Sequence, residues 1–285
     1  MRIKNFELRI LTLFPNCKIN IGLRVVSKRE DGYHNLETIF YPVMGLHDEL
    51  QVEVADNFEF IQEGLAVDCP AEDNLIIKCY QNMRAKYPQV GNVRILFKKN
   101  IPFGAGLGGG SSDAAHMAIA LNELFALELT QEQMAADVRL LGADCPFFIY
   151  NKPCIAEGIG DIFSPTQLSL IGSRLVLIKP NIHVSTKEAY GGIHLHPEAK
   201  GSLKNITKPN HLAINDFEQT IFAIHPELNH IKQQLLKAGA YYAAMSGSGS
   251  TIFGLFHGDS ECGTNTHLRG FDKQLASMII FNDTL

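Results

Sequence analysis

Five glycines, Gly104, Gly106, Gly108, Gly109 and Gly110, fall within seven residues and run directly into Ser111, Ser112 and Asp113. Before them Val93, Ile95 and Phe97 alternate with polar residues, the period of a half-buried strand. After them Ser111 to Leu127 is Ala-rich and helical in pattern. The chain must therefore pass from strand to helix along a backbone nearly devoid of Cβ atoms. Such a backbone can turn its N–H groups inward and approach an anion closely. The helix that follows adds its unpaired N-terminal donors and the positive end of its dipole. The segment reads as a polyphosphate cradle.

Two familiar phosphate ligands fit it poorly. Gly104-Ala105-Gly106-Leu107-Gly108-Gly109 satisfies G-x-G-x-x-G, so a dinucleotide-binding fold is one alternative. Yet the cluster does not sit in an initial βα unit. The acidic residue expected some way on would be Glu123 or Glu128, inside or at the end of the helix. No Lys follows the glycines, so the Walker pattern fails too, and the phosphates must draw positive charge from elsewhere.

Segments of period 2 and period 3.6 alternate along all 285 residues, as in α/β and α+β proteins. Leu11 to Val26 reads as strand material interrupted near Pro15–Lys18, Asp31-Gly32 as a turn, and Leu36 to Val43 as a hairpin-like return. Leu50 to Val54 alternates again. Asp73 is placed to cap a helix with the stripe Leu75, Ile76, Cys79, Tyr80 and Met83. Thr130 to Gln133 fits a capping box whose helix ends near Gly142. Phe147 to Tyr150 and Leu175 to Ile178 read as short buried strands, and Leu212 to Ala238 as two helices interrupted at Pro226. Tyr241 to Met245 and Thr251 to Phe256 read as strands flanking Ser246-Gly247-Ser248-Gly249, while 192–210 matches nothing usable.

Composition excludes several classes. Lys and Arg number 25 against 30 Asp and Glu, a net charge of −5, which argues against a nucleic-acid protein held by a basic face. No run of 18 apolar residues is present to span a membrane. Arg2, Lys4, Glu7 and Arg9 are scattered through the first residues, unlike a secretory signal. Cys17, Cys69, Cys79, Cys145, Cys154 and Cys262 form no C-x-x-C pair and read as reduced, mostly buried thiols of a cytoplasmic protein. His183, His194, His196 and His211 make a loose run read as loop residues rather than ligands.

Two further segments carry chemistry. Pro15-Asn16-Cys17-Lys18-Ile19-Asn20-Ile21-Gly22-Leu23 puts Lys18 and Asn20 on the same side of an otherwise apolar strand. A lysine there is costly to bury unless it meets an anion; the alternative is a strand-end lysine reaching solvent. In Leu141-Gly142-Ala143-Asp144-Cys145-Pro146-Phe147-Phe148, Asp144 falls just past a helix and before a buried strand. Alone it reads as a turn aspartate. Beside a lysine and a phosphate site, it reads as half of the alcohol-activating pair of a kinase.

Pro102 to Ala115 resembles the second signature of the GHMP kinases, Pro15 to Leu23 the first and Met245 to Phe253 the third. Arg29-Glu30-Asp31-Gly32-Tyr33-His34-Asn35-Leu36, the Leu141–Phe148 segment and Ala156-Glu157-Gly158-Ile159-Gly160-Asp161 point to members acting on a cytidine diphosphate-linked methylerythritol. The resemblance extends from residue 15 to about 256 in the family's order. It implies an α+β, two-lobed GHMP kinase fold. A ribosomal S5 domain 2-like, ATP-binding N-terminal lobe would cover 1–160, and an α/β-plait C-terminal lobe 161–285. It implies ATP-dependent phosphorylation of that substrate's 2-hydroxyl in the non-mevalonate route to isoprenoid precursors. The cofactors would be ATP and Mg²⁺. The partner would be a small-molecule substrate, with no nucleic acid or membrane. A cytoplasmic monomer or weak homodimer is expected.

The resemblance also assigns roles. Asp144 matches the aspartate that takes or orients the hydroxyl proton. Lys18 matches the lysine that keeps it ionised and stabilises the alkoxide and the transferred phosphoryl group. Asn20 would hold the substrate near Lys18. Pro102, Phe103, Gly104, Ala105, Gly106, Leu107, Gly108, Gly109, Gly110, Ser111 and Ser112 would wrap the ATP phosphates, Ser112 also near Mg²⁺. Tyr33 and His34 match a cytidine pair, one stacking and one on the base edge; such stacking is worth about 1–3 kcal/mol. The second stacking aromatic falls on Tyr190, where Phe is commoner, with Thr186 on the same stretch. Ser246 and Gly247 lie in the third signature's loop, Ser246 where Thr is more usual. No metal ligand is assigned. The rival readings are a GHMP kinase for homoserine, mevalonate or a sugar, which has no nucleobase for Tyr33-His34 to recognise, and a catalytically silent nucleotide-binding regulator.

Overall fold

In chain order the strands and helices are β1 (Ile10–Leu13), β2 (Asn16–Lys28), β3 (His34–His47), β4 (Glu49–Val54), β5 (Glu59–Gly64), α1 (Leu75–Lys86), β6 (Val93–Lys99), α2 (Gly109–Leu124), α3 (Gln131–Arg139) and α4 (Cys145–Tyr150). They continue with β7 (Cys154–Gly158), β8 (Ile162–Pro165), β9 (Ser173–Lys179), α5 (Thr186–Gly191), α6 (Phe217–Ile224), α7 (Pro226–Lys237), β10 (Tyr242–Met245), β11 (Ile252–His257) and β12 (Ile279–Thr284). This computed structural model describes residues 10–66, 70–193, 195, 202–211, 213–258 and 279–285. The readings for the first nine residues, Cys69, His194, His196, Leu212 and Cys262 lie outside them. By contact the chain forms two units, one of residues 1–17, 46–103 and 108–152, the other of 18–45, 104–107 and 153–285. The lobes drawn from the sequence divide the chain once, after residue 160, whereas these units interleave at 18–45 and 104–107.

The first unit is built on the sheet β1-β4-β6-β5. Antiparallel β4 and β6 place Leu50 opposite Phe97 and Val52 opposite Ile95, all buried, so the period-2 pattern of the sequence becomes one apolar face. Helix α2 packs on α1, α3 and α4 and reaches β1 and β4. Its Ala114, Ala115, Ala118 and Ala120 are fully buried, small enough for neighbouring helices to approach closely. Thr130 makes the expected capping box with Gln133.

Three local expectations are corrected. The cap of α1 is Asn74, whose side chain accepts from the Ile76 N–H; Asp73 sits one residue too early and pairs with Lys78 instead. Helix α2 starts at Gly109, so two of the five glycines form its first turn. Residues 147–150 are helical, not extended. Pro146 opens that turn, and Asn151 closes it in the left-handed region, because a short buried apolar run has no period that separates helix from strand.

The second unit holds two sheets, β2-β3-β7-β8 and β10-β11-β9-β12. In β2 every residue from Lys18 to Val25 is buried, so its side chains are enclosed on both faces. Helix α7 packs on β10 and β11 and on α6. Phe217, Ile221, Leu228, Ile231 and Leu235 from these helices join Val176, Ile178 and Phe256 from the sheet in one core.

In the first unit a buried ion cluster closes the base of the strand-to-helix passage. Lys99 Nζ donates to Asp48 Oδ2 at 2.5 Å and to Asp113 Oδ2 at 2.8 Å. Asp48 Oδ1 also accepts the N–H groups of Asn100 and Ile101. One ammonium thus ties the end of β6 to the first turns of α2. Burial holds the Asp113 carboxyl well above its ordinary range despite Lys99, with the Asp48 charge adding to the rise. Burial pulls Lys99 down, but the two carboxylates outweigh it and leave it raised.

Replacing Lys99 with Met leaves two buried carboxylates uncompensated and is expected to cost about 3–5 kcal/mol in urea unfolding at pH 7. Asp113→Asn should be at least as stable as the parent at pH 7. A raised folded-state value means that the parent's carboxyl stabilises below the unfolded-state value and loses that contribution as pH rises through the folded one. The advantage of Asn should therefore vanish toward acid pH, and an advantage growing there would contradict the assignment.

Candidate active site

The entry half of the glycine loop belongs to the second unit, where its carbonyls are held one by one. Ala105 O accepts from the Thr251 N–H at 3.3 Å, Gly106 O from Ser246 Oγ at 2.9 Å and Leu107 O from the Lys18 N–H at 2.9 Å. Gly108 O accepts from the Ser112 N–H within α2. Among the described residues, none of the N–H groups of residues 103–108 has a hydrogen-bond partner. Gly104, Gly106 and Gly108 all have positive φ, at 61°, 76° and 71°, while the residues between them do not. That alternation is the geometry of an anion-binding nest, in which successive N–H groups converge. Gly106 is required twice over, because a Cβ there would lie 2.1 Å from the Ser246 carbonyl oxygen.

Lys18 stands on β2, 4% exposed. Its Nζ donates to Asn20 Oδ1 at 2.6 Å and lies 4.9 Å from the centre of the Phe40 ring. Two residues apart on one strand, Lys18 and Asn20 share a face, as the sequence indicated. Asn20 Nδ2 donates to Thr38 Oγ1 at 3.0 Å, and Thr38 donates on to the Gly22 carbonyl at 2.5 Å. The Asn20 N–H donates to Ser246 Oγ, which donates to the loop at Gly106. Gly247 O and Met245 O both accept from Asn215 Nδ2 at 2.8 Å, which pins the Ser246-Gly247 turn. One hydrogen-bonded network therefore fixes the Lys18 ammonium, the Asn20 amide and the loop backbone.

The exit half of the loop belongs to the first unit. Gly108 is the N-cap residue of α2, and Gly109 is bare because a Cβ there would come within 3.0 Å of Lys99 Nζ. Ser111 is half-buried and its side chain hydrogen-bonds the Cys145 thiol. Asp144, next to that cysteine and half-buried, occupies the N-cap position of α4, so α4 and α2 meet through Cys145 and Ser111. Burial, against the Ser111 hydrogen bond and with the Asp144 charge, pushes the Cys145 thiol up to about 12, so it stays protonated. Ser112 is fully buried with its hydroxyl 3.3 Å from His116 Nδ1, which leaves Ser111 as the outward-facing serine.

The aromatic residues gather in the second unit. Arg29 pairs with Asp31, and Asp31 accepts the Tyr33 N–H, a closed turn that leaves the Tyr33 ring 62% exposed. His34 stacks on Tyr190 with ring centres 4.7 Å apart, and Tyr190 packs edge-on against Phe217. Burial, with a smaller push from Lys28, lowers His34, so its imidazole is neutral near pH 7. Thr186 opens α5 one turn before Tyr190 and shares its face.

Lys18, Asn20, Ser246, Gly247 and residues 104–107 are thus brought together in one unit, and residues 108–112 with Asp144 in the other. Sequence reasoning missed Thr38 and Asn215, which act through Asn20 and the Ser246 turn. Neither belongs to a recognisable motif, and only tertiary pairing reveals them. Lys99 was also unmarked, although a lysine five residues before the first glycine was a signal.

The profile described as "GHMP kinases N terminal domain" matches residues 74–152, and "GHMP kinases C terminal" matches 199–261. A relative named 4-diphosphocytidyl-2-C-methyl-D-erythritol kinase from Azobacteroides pseudotrichonymphae is 48% identical over 248 residues, 85% of this chain and 92% of its own length. One of the same name from Bacteroides thetaiotaomicron is 47% identical over 251 residues, 85% of this chain and 91% of its own. A crystal structure of 4-(cytidine 5'-diphospho)-2C-methyl-D-erythritol kinase superposes with a TM-score of 0.75 at 32% identity, covering 95% of this chain and 98% of that one. Homoserine kinase from Cytophaga hutchinsonii, at 16% identity and a TM-score of 0.69, covers 100% and 97% and shares the fold. The chain belongs to the GHMP kinase family and, within it, to the group named 4-diphosphocytidyl-2-C-methyl-D-erythritol kinase. The α+β fold expected from the sequence agrees with this.

Thr38→Val should leave the Gly22 carbonyl and the Asn20 amide unpaired and loosen Lys18, at a cost of about 1–3 kcal/mol. Steady-state kinetics is expected to register a kcat lowered about ten-fold, with Thr38→Ser close to the parent. A loss confined to Thr38→Ser, with Thr38→Val close to the parent, would assign the effect to the methyl group instead.

Proposed function

We propose that this chain transfers the γ-phosphoryl group of ATP to the 2-hydroxyl of 4-diphosphocytidyl-2-C-methyl-D-erythritol, a step toward isoprenoid precursors. The observation that carries this reading is the open row of N–H donors at residues 103–108, backed by engaged carbonyls at residues 105–108. A polyanion supplies the acceptors such a row lacks, and donors fixed in advance need not reorganise as charge develops.

Asp144 takes or orients the proton of the attacking hydroxyl. Lys18 stabilises the alkoxide and the phosphoryl group in transit, and Asn20, tied to Lys18, holds the substrate. Residues 102–111 wrap the triphosphate, and Ser112, buried against His116, supports the helix behind them. Tyr33, His34, Thr186 and Tyr190 receive the cytidine, with the neutral imidazole of His34 able to donate or accept at the base edge. Ser246 and Gly247 hold the loop and the substrate. Mg²⁺ offsets the charge of the polyphosphate when carried in on ATP. The Ser111 hydroxyl and the Asp144 carboxylate are oxygen donors of the hard kind it takes. Among the described residues no cluster of three His, Cys, Asp or Glu could hold a metal ion.

Among the described residues no helix is long and apolar enough to cross a membrane. With a net charge of −5, a cytoplasmic monomer or weak homodimer with no nucleic-acid partner is the setting we infer. The two lobes would meet after residue 160.

In a coupled assay of ADP formation, the cytidylyl substrate should support turnover while homoserine and mevalonate do not; turnover with either of those alone would overturn the assignment. Asp144→Asn is expected to lower kcat by about 10²–10⁴-fold with a small change in KM for ATP. A silent nucleotide-binding regulator would instead bind ATP without turnover and tolerate Asp144→Asn.

A further inference from the structure

His183 belongs to none of the motifs above and reads from sequence as a loop histidine, yet it stands against the glycine loop. A Cβ built on Gly104 would lie 3.5 Å from His183 Cε1 and 3.6 Å from Nδ1, so the imidazole rests over the first positive-φ glycine. The ring is exposed, and its nitrogens have no hydrogen-bond partner among the described residues. Its backbone, by contrast, is tightly held. The Ile182 carbonyl just before it accepts from Lys179 Nζ at 3.0 Å and from Ser250 Oγ at 2.5 Å. Lys179 also donates to Pro180 O at 2.7 Å. Ser250 precedes Thr251, whose N–H holds Ala105 O, so the clamp on the loop and the anchor of His183 come from adjacent residues. Gly104 to Leu107 is therefore flanked residue by residue, by His183, Thr251, Ser246 and Lys18, all in one unit.

A ring with two polar nitrogens, carried at the rim of a nest of open donors by an anchored backbone, has the position and chemistry to add a donor to the same anion. The loop also lacks the lysine that follows the glycines in Walker-type sites. We propose that His183 is a further phosphate-binding residue, its imidazole N–H joining the backbone donors of residues 103–108 on the nucleotide's triphosphate. This rests on the reading that the loop grips ATP. The cytidylyl substrate also carries a diphosphate, and Gly104's place at the head of the glycine loop assigns His183 to the nucleotide.

The test is steady-state kinetics of the full chain with ATP and with the cytidylyl substrate varied separately, alongside thermal melting. Losing one hydrogen bond to a charged group, His183→Ala is expected to raise KM for ATP about ten-fold. KM for the cytidylyl substrate and kcat at saturation should stay within about two-fold. His183→Gln, which keeps a donor and cannot titrate, should recover most of the loss and stands in if the alanine variant folds poorly. An unchanged KM for ATP, a rise for the cytidylyl substrate instead, or a Gln variant as impaired as Ala at an unchanged melting temperature would each overturn the proposal. A parent chain that shows no ATP turnover would defeat the underlying reading, a result distinct from any of these.

Discussion

A run of backbone whose carbonyls are all engaged while its N–H groups are not is the constraint from which the other features follow. Folded chains rarely leave a row of donors without acceptors, because each such group costs free energy once water is displaced. Here the carbonyls of residues 105–108 are held by Thr251, Ser246, Lys18 and Ser112. Apart from Ser112, which follows the loop directly, those anchors come from two distant parts of the sequence. Their convergence explains why the first and third signatures accompany the glycines: they supply the groups that engage the loop's carbonyls and leave its N–H row open.

The polar residues around the loop are then best understood as supports. Lys18 serves twice, its N–H clamping Leu107 and its ammonium presented beside Asn20. Thr38 and Ser246 complete the wiring of Asn20. Within the first unit, Lys99 sits under Gly109 between two carboxylates and fixes where α2 begins. An ammonium so buried is neutralised by its partners, so its effect is to set geometry rather than field. A preorganised loop of this kind meets the requirement of phosphoryl transfer, where positioning and charge stabilisation outweigh covalent chemistry by the protein.

Much of this was legible in the sequence, for physical reasons that differ by residue. Alternation in β4 and β6, the capping box at Thr130 and the break at Pro226 are local signals, and all three are realised. The glycine cluster spoke through the absence of Cβ atoms, and the Lys18–Asn20 pairing followed from strand period alone. The helix at 145–150 did not, because six mostly apolar residues have no readable period and burial decides their state. Short strands such as β7 and β8 went unread for the same reason. Thr38, Asn215 and His183 were invisible because their significance lies in partners more than 15 residues away in sequence.

The most direct test is a crystal structure of the chain with the cytidylyl substrate and an unreactive ATP analogue. The account predicts β- and γ-phosphoryl oxygens within hydrogen-bonding distance of consecutive N–H groups in residues 103–110. It also predicts the acceptor hydroxyl within reach of Lys18 and Asp144. A triphosphate bound elsewhere, with the glycine loop's donors facing only water, would contradict it.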